Sequence, residues 1–444
     1  MRKRGRAISL STLALLSCSM AYAQTPGERL GAPQPFEQWA PTSPRTSDAP
    51  ARRTQEPVDP WRPYYTAPTG IAAGPVTLYP SITAGAVYDD NVFATNANRR
   101  SDWFGLVRPE LGWRSAGVNS TMVGQAFVEG REYSRFNSES QVNAGVANVL
   151  TVMPNPDTQI IGRIRYLHSH EERGGGESVL TAFARPVAYD TLEVAGAVNR
   201  RFDRVWVSLG GANSWQRYET PTVAGVPVSQ SYRDGTVSVA SGRLGYVVAP
   251  LTSVFVEAAA NWRNFEVDNF DSTGYRIVGG VLLEPGPGAR LKGEAYVGYM
   301  RQDYTGATFN TISTFTYGGA LAWLVAPRLT AVVEGRRQAL ESALNPTGAL
   351  NGGTSVVESL VGGRLDYAVL PNFIVGAGAT YLVDEFKGAG RTDRTLSPLV
   401  SVKYLLNPFV TLGFDYRHVA FDTNGLGAAN YGRNVYLFSI NARI

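Results

Sequence analysis

The end of the chain, residues 409–444, contains two long segments in which apolar and polar side chains alternate. Leu412 and Phe414 stand on alternate positions in the first segment, and Tyr436 and Phe438 do so in the second. This period of two is that of a β-strand with one apolar face. Each segment runs for about a dozen residues, longer than a typical strand of a soluble sandwich and long enough for a tilted strand to cross a bilayer. We therefore expect the apolar face to contact lipid.

The same alternation extends back to Val76, and no apolar run long enough for a transmembrane helix interrupts it. Short turns rich in Pro, Asn and Asp alternate with longer polar or Gly-rich loops. The predicted strands are 76–88, 103–114, 120–136, 141–153, 158–170, 188–201, 204–218, 231–248, 252–265, 273–284, 290–304, 311–325, 329–341, 355–369, 373–387, 395–406, 409–421 and 432–444. About eighteen strands, an even number, predict an all-β fold, a transmembrane antiparallel up-and-down β-barrel. A missed or false hairpin within residues 171–204 would make the count about sixteen or twenty.

The first part of the chain, residues 1–23, has the features of a secretory signal peptide. A basic start precedes an apolar run at residues 7–18 that is too short to span a membrane, and Ala21-Tyr22-Ala23 supplies a small-x-small cleavage site. A lipoprotein-type cleavage before Cys18 is the alternative, but Leu16 and the better downstream site argue against it. We expect cleavage after residue 23 and export to the outer membrane of a Gram-negative cell.

Removal of the signal peptide changes the charge and the cysteine content. It takes away four of the 41 Lys and Arg residues, none of the 37 Asp and Glu residues, and the single cysteine. The mature chain is then electrically balanced, so no nucleic-acid partner is expected. Without cysteine it also has no disulfide and no thiolate nucleophile or metal ligand.

Residues 24–75 predict a disordered, Pro-rich tether in the periplasm. Eleven of the 26 prolines of the chain lie in these 52 residues, among Gln, Thr, Ser and charged side chains. Such a segment cannot bury enough apolar surface to fold alone. Its aromatic residues would anchor it near the membrane surface or dock a periplasmic partner. The predicted domains are therefore the signal peptide 1–23, the tether 24–75 and the barrel 76–444.

The polar positions of the predicted strands indicate what lines the lumen. If the apolar positions face lipid, the alternate positions face inward, and they carry both signs of charge. The candidate lumen-lining residues are Glu129, Arg131, Arg163, Arg165, Glu257, Arg263, Lys292, Glu294, Glu334, Arg336, Arg364, Asp366, Lys403, Asp415 and Arg417. A barrel of about 16 to 18 strands leaves an aqueous channel unless a loop fills it, so we expect a pore. Alternatively, these charges pair across strands and only hold the wall together.

The chain offers little that is typical of an enzyme. The run His168-Ser169-His170-Glu171-Glu172 has metal-ligand residue types, although a strand end that enters a polar loop explains it as well. Asp89-Asp90-Asn91 would suit either calcium or an acidic turn. His418 has no serine among its nearest neighbours in sequence that would complete a catalytic pair. We therefore expect no enzyme activity and assign no catalytic, cofactor-binding or metal-ligating residue.

Several short segments resemble a known family. They are LYPSI at 78–82, GAVYDDNVF at 85–93, SDW at 101–103, VRPEL at 107–111 and NRRFDR at 199–204. Together they resemble the putative outer-membrane beta-barrel porin 2 family over most of residues 76–444. The resemblance implies a role in export of extracellular or surface polysaccharide together with periplasmic export proteins, and it supplies no catalytic motif. Outer-membrane barrels commonly end in an aromatic residue, so Ile444 would be a weaker signal for the barrel-assembly machinery.

Two functional classes follow from these patterns. In the first, the protein is an outer-membrane channel, a conduit for polysaccharide export or a general solute porin. In the second, it is a structural or interaction barrel, plugged by its own loops, that recruits periplasmic partners. Lipid of the outer membrane and the assembly machinery are expected partners in both classes, and polysaccharide and export proteins in the first.

Overall fold

The computed structural model describes residues 70–174, 183–284, 286, 288–342, 353–388, 390–425 and 429–444. The predicted signal peptide and nearly all of the predicted tether lie outside the described residues. The strands are β1 Ile71–Ala73, β2 Val76–Asp89, β3 Asp102–Ala116, β4 Ser120–Tyr133, β5 Gln141–Asn155, β6 Thr158–His170, β7 Ala188–Phe202, β8 Val205–Tyr218, β9 Thr222–Val223, β10 Val226–Pro227, β11 Gly235–Ala249, β12 Thr252–Phe265, β13 Ser272–Leu283, β14 Leu291–Tyr304, β15 Ile312–Ala326, β16 Leu329–Ser342, β17 Thr354–Leu370, β18 Phe373–Phe386, β19 Thr392–Leu405, β20 Val410–Thr423 and β21 Tyr431–Arg443. Short 3₁₀ turns occur at Asn137–Glu139, Ser231–Arg233 and Asp268–Phe270.

Eighteen of these strands form one closed antiparallel barrel, as the sequence predicts. Each long strand from β2 to β8 and from β11 to β21 pairs with its neighbours in chain order, and β8 pairs with β11 across the loop that holds the small β9–β10 hairpin. The ring closes where β2 pairs with β21, from Ser81 opposite Arg443 to Asp89 opposite Val435. Closure leaves no long sheet edge at this seam, which is the condition for a β-structure to span lipid.

The barrel begins slightly before the predicted boundary at residue 76. β21 pairs with β2 only from Ser81 onward, and the short strand β1 covers the earlier part of β2, with Ile71 opposite Leu78. Residues 71–73 were predicted to belong to the disordered tether, so this boundary is corrected. The positive φ of Gly74, 62°, allows the tight turn that reverses β1 into β2.

The two ends of the barrel differ in their connections. At one end, where the chain also enters and leaves the barrel, short connections such as those after Phe202, Ala249 and Leu370 join neighbouring strands. At the other end the connections are longer, and that between β6 and β7 spans residues 171–187. We call these the turn side and the loop side. In outer-membrane barrels the short turns are periplasmic and the long loops extracellular.

The outer face of the wall is apolar, because alternate positions carry large exposed hydrophobic side chains. Val297, Leu244 and Phe315 are 69%, 58% and 59% exposed, which is an arrangement suited to lipid contact. Aromatic side chains stand on the same face near strand ends. They include Trp103, Tyr166, Tyr246, Trp262, Tyr299, Trp323, Tyr381 and Tyr404. Such girdles place amphipathic rings at the depth of the lipid headgroups. Within the described ranges, no helix has the length and apolarity to cross a membrane.

On the inner face, aromatic rings pack over glycines of neighbouring strands. A Cβ atom at Gly245 would lie 2.1 Å from the indole of Trp206, and one at Gly280 would lie 2.6 Å from the ring of Phe255. Trp206 and Phe255 belong to a buried cluster with Tyr296, Val278 and Leu282 on the turn side. The glycines of this wall therefore make room for rings that would otherwise project into the lumen.

Candidate functional site in the barrel lumen

Ion pairs that join strands far apart in the ring identify the inner face. Arg243 of β11 lies 2.8 Å from Glu294 of β14, and Arg263 of β12 lies 2.6 Å from Glu341 of β16. Side chains can reach across two or three intervening strands in this way only on the concave side of the wall. The polar positions that alternate with the exposed apolar residues therefore face the lumen.

Most of the residues predicted to line the lumen form ion pairs. The pairs are Glu129 with Arg131 and Arg108, Arg165 with Glu193, Glu257 with Arg243 and Arg276, Glu294 with Arg243, Arg263 with Glu341, Arg336 with Glu358, Arg364 with Asp366, and Arg417 with Glu172. Lys403 acts electrostatically on Asp415 of the neighbouring strand, and Glu334 is exposed. Arg163 and Lys292 are partly buried on the same face. Pairing across strands, the alternative weighed from the sequence, thus accounts for much of this charge.

On the loop side, the start of the β6–β7 connection folds into the barrel. The Glu172 carboxylate lies 3.3 Å from the Arg417 guanidinium of β20 and 3.8 Å from that of Arg433 on β21. The Tyr431 hydroxyl donates a hydrogen bond to the Gly174 carbonyl at 3.1 Å. Between Glu172 and Gly174, the Arg173 guanidinium forms an ion pair with the Glu139 carboxylate at 2.6 Å. This segment, residues 171–174, therefore narrows the lumen beside β20 and β21.

The charge of Glu172 is stabilised by its surroundings. Burial raises the pKa of the carboxyl group, but attraction to Arg417, Arg433 and Arg131 outweighs burial and holds the pKa of Glu172 below its ordinary value. Glu171 turns away from this cluster and pairs with the fully buried Arg233. The two adjacent acids thus fasten the same segment at two places, Glu172 to strands β20 and β21 and Glu171 to the 3₁₀ turn Ser231–Arg233.

From another part of the ring, the loop-side end of the β16–β17 hairpin also bends into the lumen. The β15–β16 ladder runs from Ala326 opposite Leu329 and ends at Gly318 opposite Arg336. Above that point, residues 312–317 and 337–342 are both described and extended, yet no pairing joins them. The loop-side end of β16 instead lies inside the ring, against the inner face of the wall.

Contacts with four strands hold this hairpin end inside. Glu341 accepts hydrogen bonds from Arg263 at 2.6 Å and from the Ser272 hydroxyl at 3.2 Å. The Tyr304 hydroxyl donates to the Leu340 carbonyl at 3.3 Å. A buried apolar cluster of Met300, Ile312, Ala339 and Val357 fills the space between hairpin and wall. The β16–β17 end is thus a packed element of the lumen and forms a second constriction.

A glycine pair marks the corner from which β16 departs. Gly293 and Gly319 have φ values of 125° and 137°, a region that disfavours side chains. A Cβ atom at Gly319 would lie 2.1 Å from the Glu294 carbonyl oxygen. The wall can therefore bend here only because both positions lack a side chain, and the β15–β16 ladder separates next to this bend.

Several basic side chains lie at the turn-side end of the lumen. Arg114, Lys292, Lys403 and Arg443 occupy inward positions near this end, and none of them is buried. Among the described residues, Arg114 and Lys292 have no carboxylate within ion-pair distance. Glu294, an acid at the same depth, is already bonded to Arg243. Glu334 lies opposite Ala320 like Glu294, and it is exposed. The turn-side end therefore carries Arg114, Lys292, Lys403 and Arg443 beside the acids Glu334 and Asp415, which is an excess of basic side chains.

The residues weighed for metal binding or catalysis have other partners. His168 contacts Asp190 at 3.0 Å and His170 contacts Asn143 at 3.0 Å. Asp89 accepts from Arg433 at 2.6 Å, and His418 contacts Asn434 at 2.8 Å. No group of three or more His, Cys, Asp or Glu side chains with metal-binding geometry occurs within the described ranges. These side chains thus form hydrogen bonds and ion pairs within the wall and its loops.

Several inner-face charges were absent from the sequence-based set. Arg108, Arg243 and Arg276 alternate with exposed apolar neighbours, so the period of two would have found them. Glu172 lies in a loop and Glu341 lies where β16 leaves the wall. No periodic pattern in the sequence indicates the role of either acid.

A closed barrel of eighteen strands with a lipid-exposed apolar face and a charged interior defines a porin-like protein of the outer membrane. The chain belongs to the family described as Putative beta-barrel porin 2, whose model matches residues 62–444. The resemblance noted from the first hairpin is thereby confirmed. No curated protein matches the chain.

Several solved structures are similar to this chain at low sequence identity. Acinetobacter baumannii OccAB4 is 12% identical, covers 83% of this chain over 98% of its own, and superposes with a TM-score of 0.43. Pseudomonas aeruginosa OpdO is 13% identical, with 83% and 97% covered and a TM-score of 0.43. P. aeruginosa OccK1 is 12% identical, with 83% and 99% covered and a TM-score of 0.44. At this level of similarity no substrate or residue role is transferred.

Proposed function

We propose that the protein is an outer-membrane channel for hydrophilic solutes and that its physiological cargo is an exported polysaccharide. The single observation that carries the channel is the polar, charged inner face of a closed eighteen-strand wall. A ring of this size leaves an aqueous channel unless loop segments fill it. The assignment of polysaccharide as the cargo rests on the resemblance of the first hairpin to a family linked to polysaccharide export.

The basic turn-side mouth supports an anionic cargo that enters from the periplasm. Arg114, Lys292 and Lys403 would raise the local concentration of anions at the entrance. The two loop-side constrictions would then select what passes outward. A tether at residues 24–69, in the periplasm, would lie on the same side as this mouth and would bring export proteins to it.

The general solute porin remains the competing function, and the narrowed loop side favours it. Two inward segments, residues 171–174 and the β16–β17 end, suit small solutes at least as well as a polymer. A fully plugged structural barrel is the third outcome. The three functions differ in conductance and in its response to sugar.

The decisive experiment is single-channel recording of the purified mature barrel in a planar bilayer, with acidic and neutral oligosaccharides added to the turn side. Steady conductance that acidic oligosaccharides interrupt supports the proposed conduit. Conductance that is indifferent to oligosaccharide supports a general porin. A folded barrel that stays silent overturns the channel and points to a structural role.

A cellular experiment tests the cargo. Deletion of the gene should lower secreted polysaccharide while leaving its cytoplasmic synthesis unchanged. Complementation with the intact gene should restore secretion. An unchanged amount of extracellular polymer in the deletion strain would remove polysaccharide export from the proposal.

A further inference from the structure

One arginine stands on the lipid-facing side of the wall in its turn-side half. Arg200 of β7 is exposed and shares the outward parity of Val194 and Val198, whose side chains are exposed as well. The other charged side chains at outward strand positions of the described wall lie near the loop-side ends, as Arg301 and Asp303 do. A charged side chain at a lipid-facing position is rare in membrane proteins and indicates a functional site.

The Arg200 guanidinium is directed toward the turn-side rim of the barrel. Its Cζ atom lies 5.2 Å from the centre of the Phe202 ring, and Phe202 stands two residues nearer to the turn. Two strand residues span roughly 6 to 7 Å, which is about the depth of the headgroup zone on one side of a bilayer. The long side chain therefore carries its charge from an apolar part of the wall to the level of the headgroups.

No acidic side chain neutralises this arginine. Within the described ranges, no carboxylate lies at ion-pair distance from Arg200, and its guanidinium packs on the Phe202 ring. Thr158 of β6 lies directly opposite Arg200 in the ladder, and its hydroxyl oxygen is buried without a hydrogen-bond partner. Asp157 and Asp203, the acids of the two nearest turns, are exposed and form no ion pair in this part of the described chain. A cation and a hydroxyl group are thus adjacent and unpaired at the depth of the headgroups.

The outer face on the membrane side of Arg200 is apolar. Val198, two residues deeper than Arg200, is 47% exposed. Ile160 and Leu209 lie in register with Val198 on the neighbouring strands and are exposed as well. Such side chains suit the acyl chains of a lipid. A ligand that fits this surface therefore has an anionic group for Arg200 and hydrocarbon for the residues beside it.

We propose that Arg200, with the Thr158 hydroxyl beside it, binds the phosphate group of a membrane phospholipid at the turn-side surface of the wall. A guanidinium takes two phosphate oxygens through parallel N–H donors, and the phosphodiester of a phospholipid presents them at this depth. The acyl chains of the same lipid lie along Val198, Ile160 and Leu209. The site is outside the lumen, so it does not depend on the proposed channel function.

The test measures lipid binding to the full mature barrel, purified in detergent, by native mass spectrometry. The probes are dioleoyl phosphatidylglycerol, dioleoylglycerol, which lacks the phosphate, and glycerol 3-phosphate, which lacks the acyl chains. Titration of each probe gives an apparent dissociation constant for the first molecule bound. We expect phosphatidylglycerol to bind about tenfold more tightly than dioleoylglycerol, since only the former meets the charged hydrogen-bond donors.

Three variants probe the site and a fourth is the control. Arg200→Gln should weaken the binding of phosphatidylglycerol by about tenfold, because it removes the charged donors. Arg200→Lys should recover part of the affinity, because a lysine keeps the charge without the fork. Thr158→Val keeps the shape of the side chain and should weaken binding by about threefold through the lost hydroxyl. Arg301→Gln is the matched control, since Arg301 also stands on the outer face but is bonded to Asp303.

The outcomes separate a phosphate site from general lipid contact. Equal affinity of the wild type and Arg200→Gln for phosphatidylglycerol overturns the site. Dioleoylglycerol that binds as tightly as phosphatidylglycerol overturns recognition of the phosphate. Glycerol 3-phosphate that binds as tightly as phosphatidylglycerol assigns Arg200 to soluble anions and overturns the lipid. An equal loss in Arg301→Gln and Arg200→Gln overturns the assignment to Arg200. Heat-modifiable mobility in electrophoresis confirms that each variant is folded.

Discussion

The loop-side and turn-side halves of the lumen share one wall but differ in how they use charge. On the loop side, inward acids and bases are buried and bonded, as in Arg263 with Glu341 and Arg433 with Asp89. On the turn side, Arg114 and Lys292 stand at the mouth with no carboxylate bonded to them in the described residues. The same residue types therefore form bonded pairs at one end and include bases without a bonded carboxylate at the other. The difference arises because residues 171–174 and the end of the β16–β17 hairpin fold into the lumen on the loop side.

The largest expected effect comes from breaking the Arg263–Glu341 pair. Glu341→Gln leaves the buried Arg263 guanidinium without its counter-charge. If the hairpin end stayed in place, the folded barrel would lose about 3 to 5 kcal/mol of stability. We expect the end of β16–β17 to leave the inner wall and single-channel conductance to rise. The double variant Arg263→Met/Glu341→Leu removes both charges and keeps apolar contact, so it should conduct like the wild type. Equal conductance of the wild type and Glu341→Gln would show that this end does not constrict the path.

The next effect tests the assignment of the two faces, on which the comparison depends. Phe438 is exposed on the outer face near the middle of β21, and Ser439 is its inward neighbour. Phe438→Lys should destabilise the folded barrel by about 2 to 4 kcal/mol, because it places a charge in hydrocarbon. Ser439→Lys should be tolerated, and Phe438→Leu controls for the lost ring. Urea titration followed by electrophoretic mobility measures each variant, and equal losses for the two lysines would reverse or abolish the face assignment.

A smaller effect is expected at the turn-side mouth. Replacing Arg114, Lys292 and Lys403 together with Gln removes three cations from the entrance and should lower the preference of the channel for anions. The reversal potential in a KCl gradient reports this change, and raised salt should diminish it by screening. Arg301→Gln, on the outer face, should leave the reversal potential unchanged. An unaltered anion preference in the triple variant would show that these three cations do not contribute to the ion selectivity of the channel.

The smallest effect concerns pH at the loop-side constriction. The pKa of Glu172 is held below the ordinary glutamate value of about 4.3, so its attraction to the arginines is fully present above that pH. It is lost only as pH falls through the lowered pKa, since a protonated Glu172 no longer attracts Arg417. Conductance should therefore stay constant from neutral pH to about pH 5 and rise only in more acidic solution. The rise should be absent in Glu172→Gln, and an equal rise in both proteins would assign it to other acids.

Much of the fold could be predicted from local patterns. The eighteen predicted strands correspond to the eighteen strands of the ring, because one apolar face per strand fixes both the period and the register. The tether boundary was predicted a few residues too late, since a three-residue strand such as β1 carries no periodic signal. The family resemblance came mainly from the first hairpin, with one further segment at 199–204, and the match over residues 62–444 confirms it.

Less of the lumen could be predicted. Alternation placed Arg263 on the inner face but could not pair it with Glu341, which lies on a segment that leaves the wall. The continuous β16–β17 register gives no sign of this departure, since every pair from Leu329 opposite Tyr367 to Ser342 opposite Thr354 is regular. Glu172 stood out only as part of a possible metal-binding run. Its actual partners, Arg417 and Arg433, are distant in sequence.

The sequence by itself determined the wall: strand number, strand length, the lipid-facing side and the sign of charge on the inner side. These properties are local, because each depends on the period of two and on the thickness of the bilayer. Tertiary structure alone decided which charges are bonded and which remain open to solute. That choice depends on where the β6–β7 segment and the β16–β17 end enter the ring, and these positions follow from contacts between residues far apart in the chain.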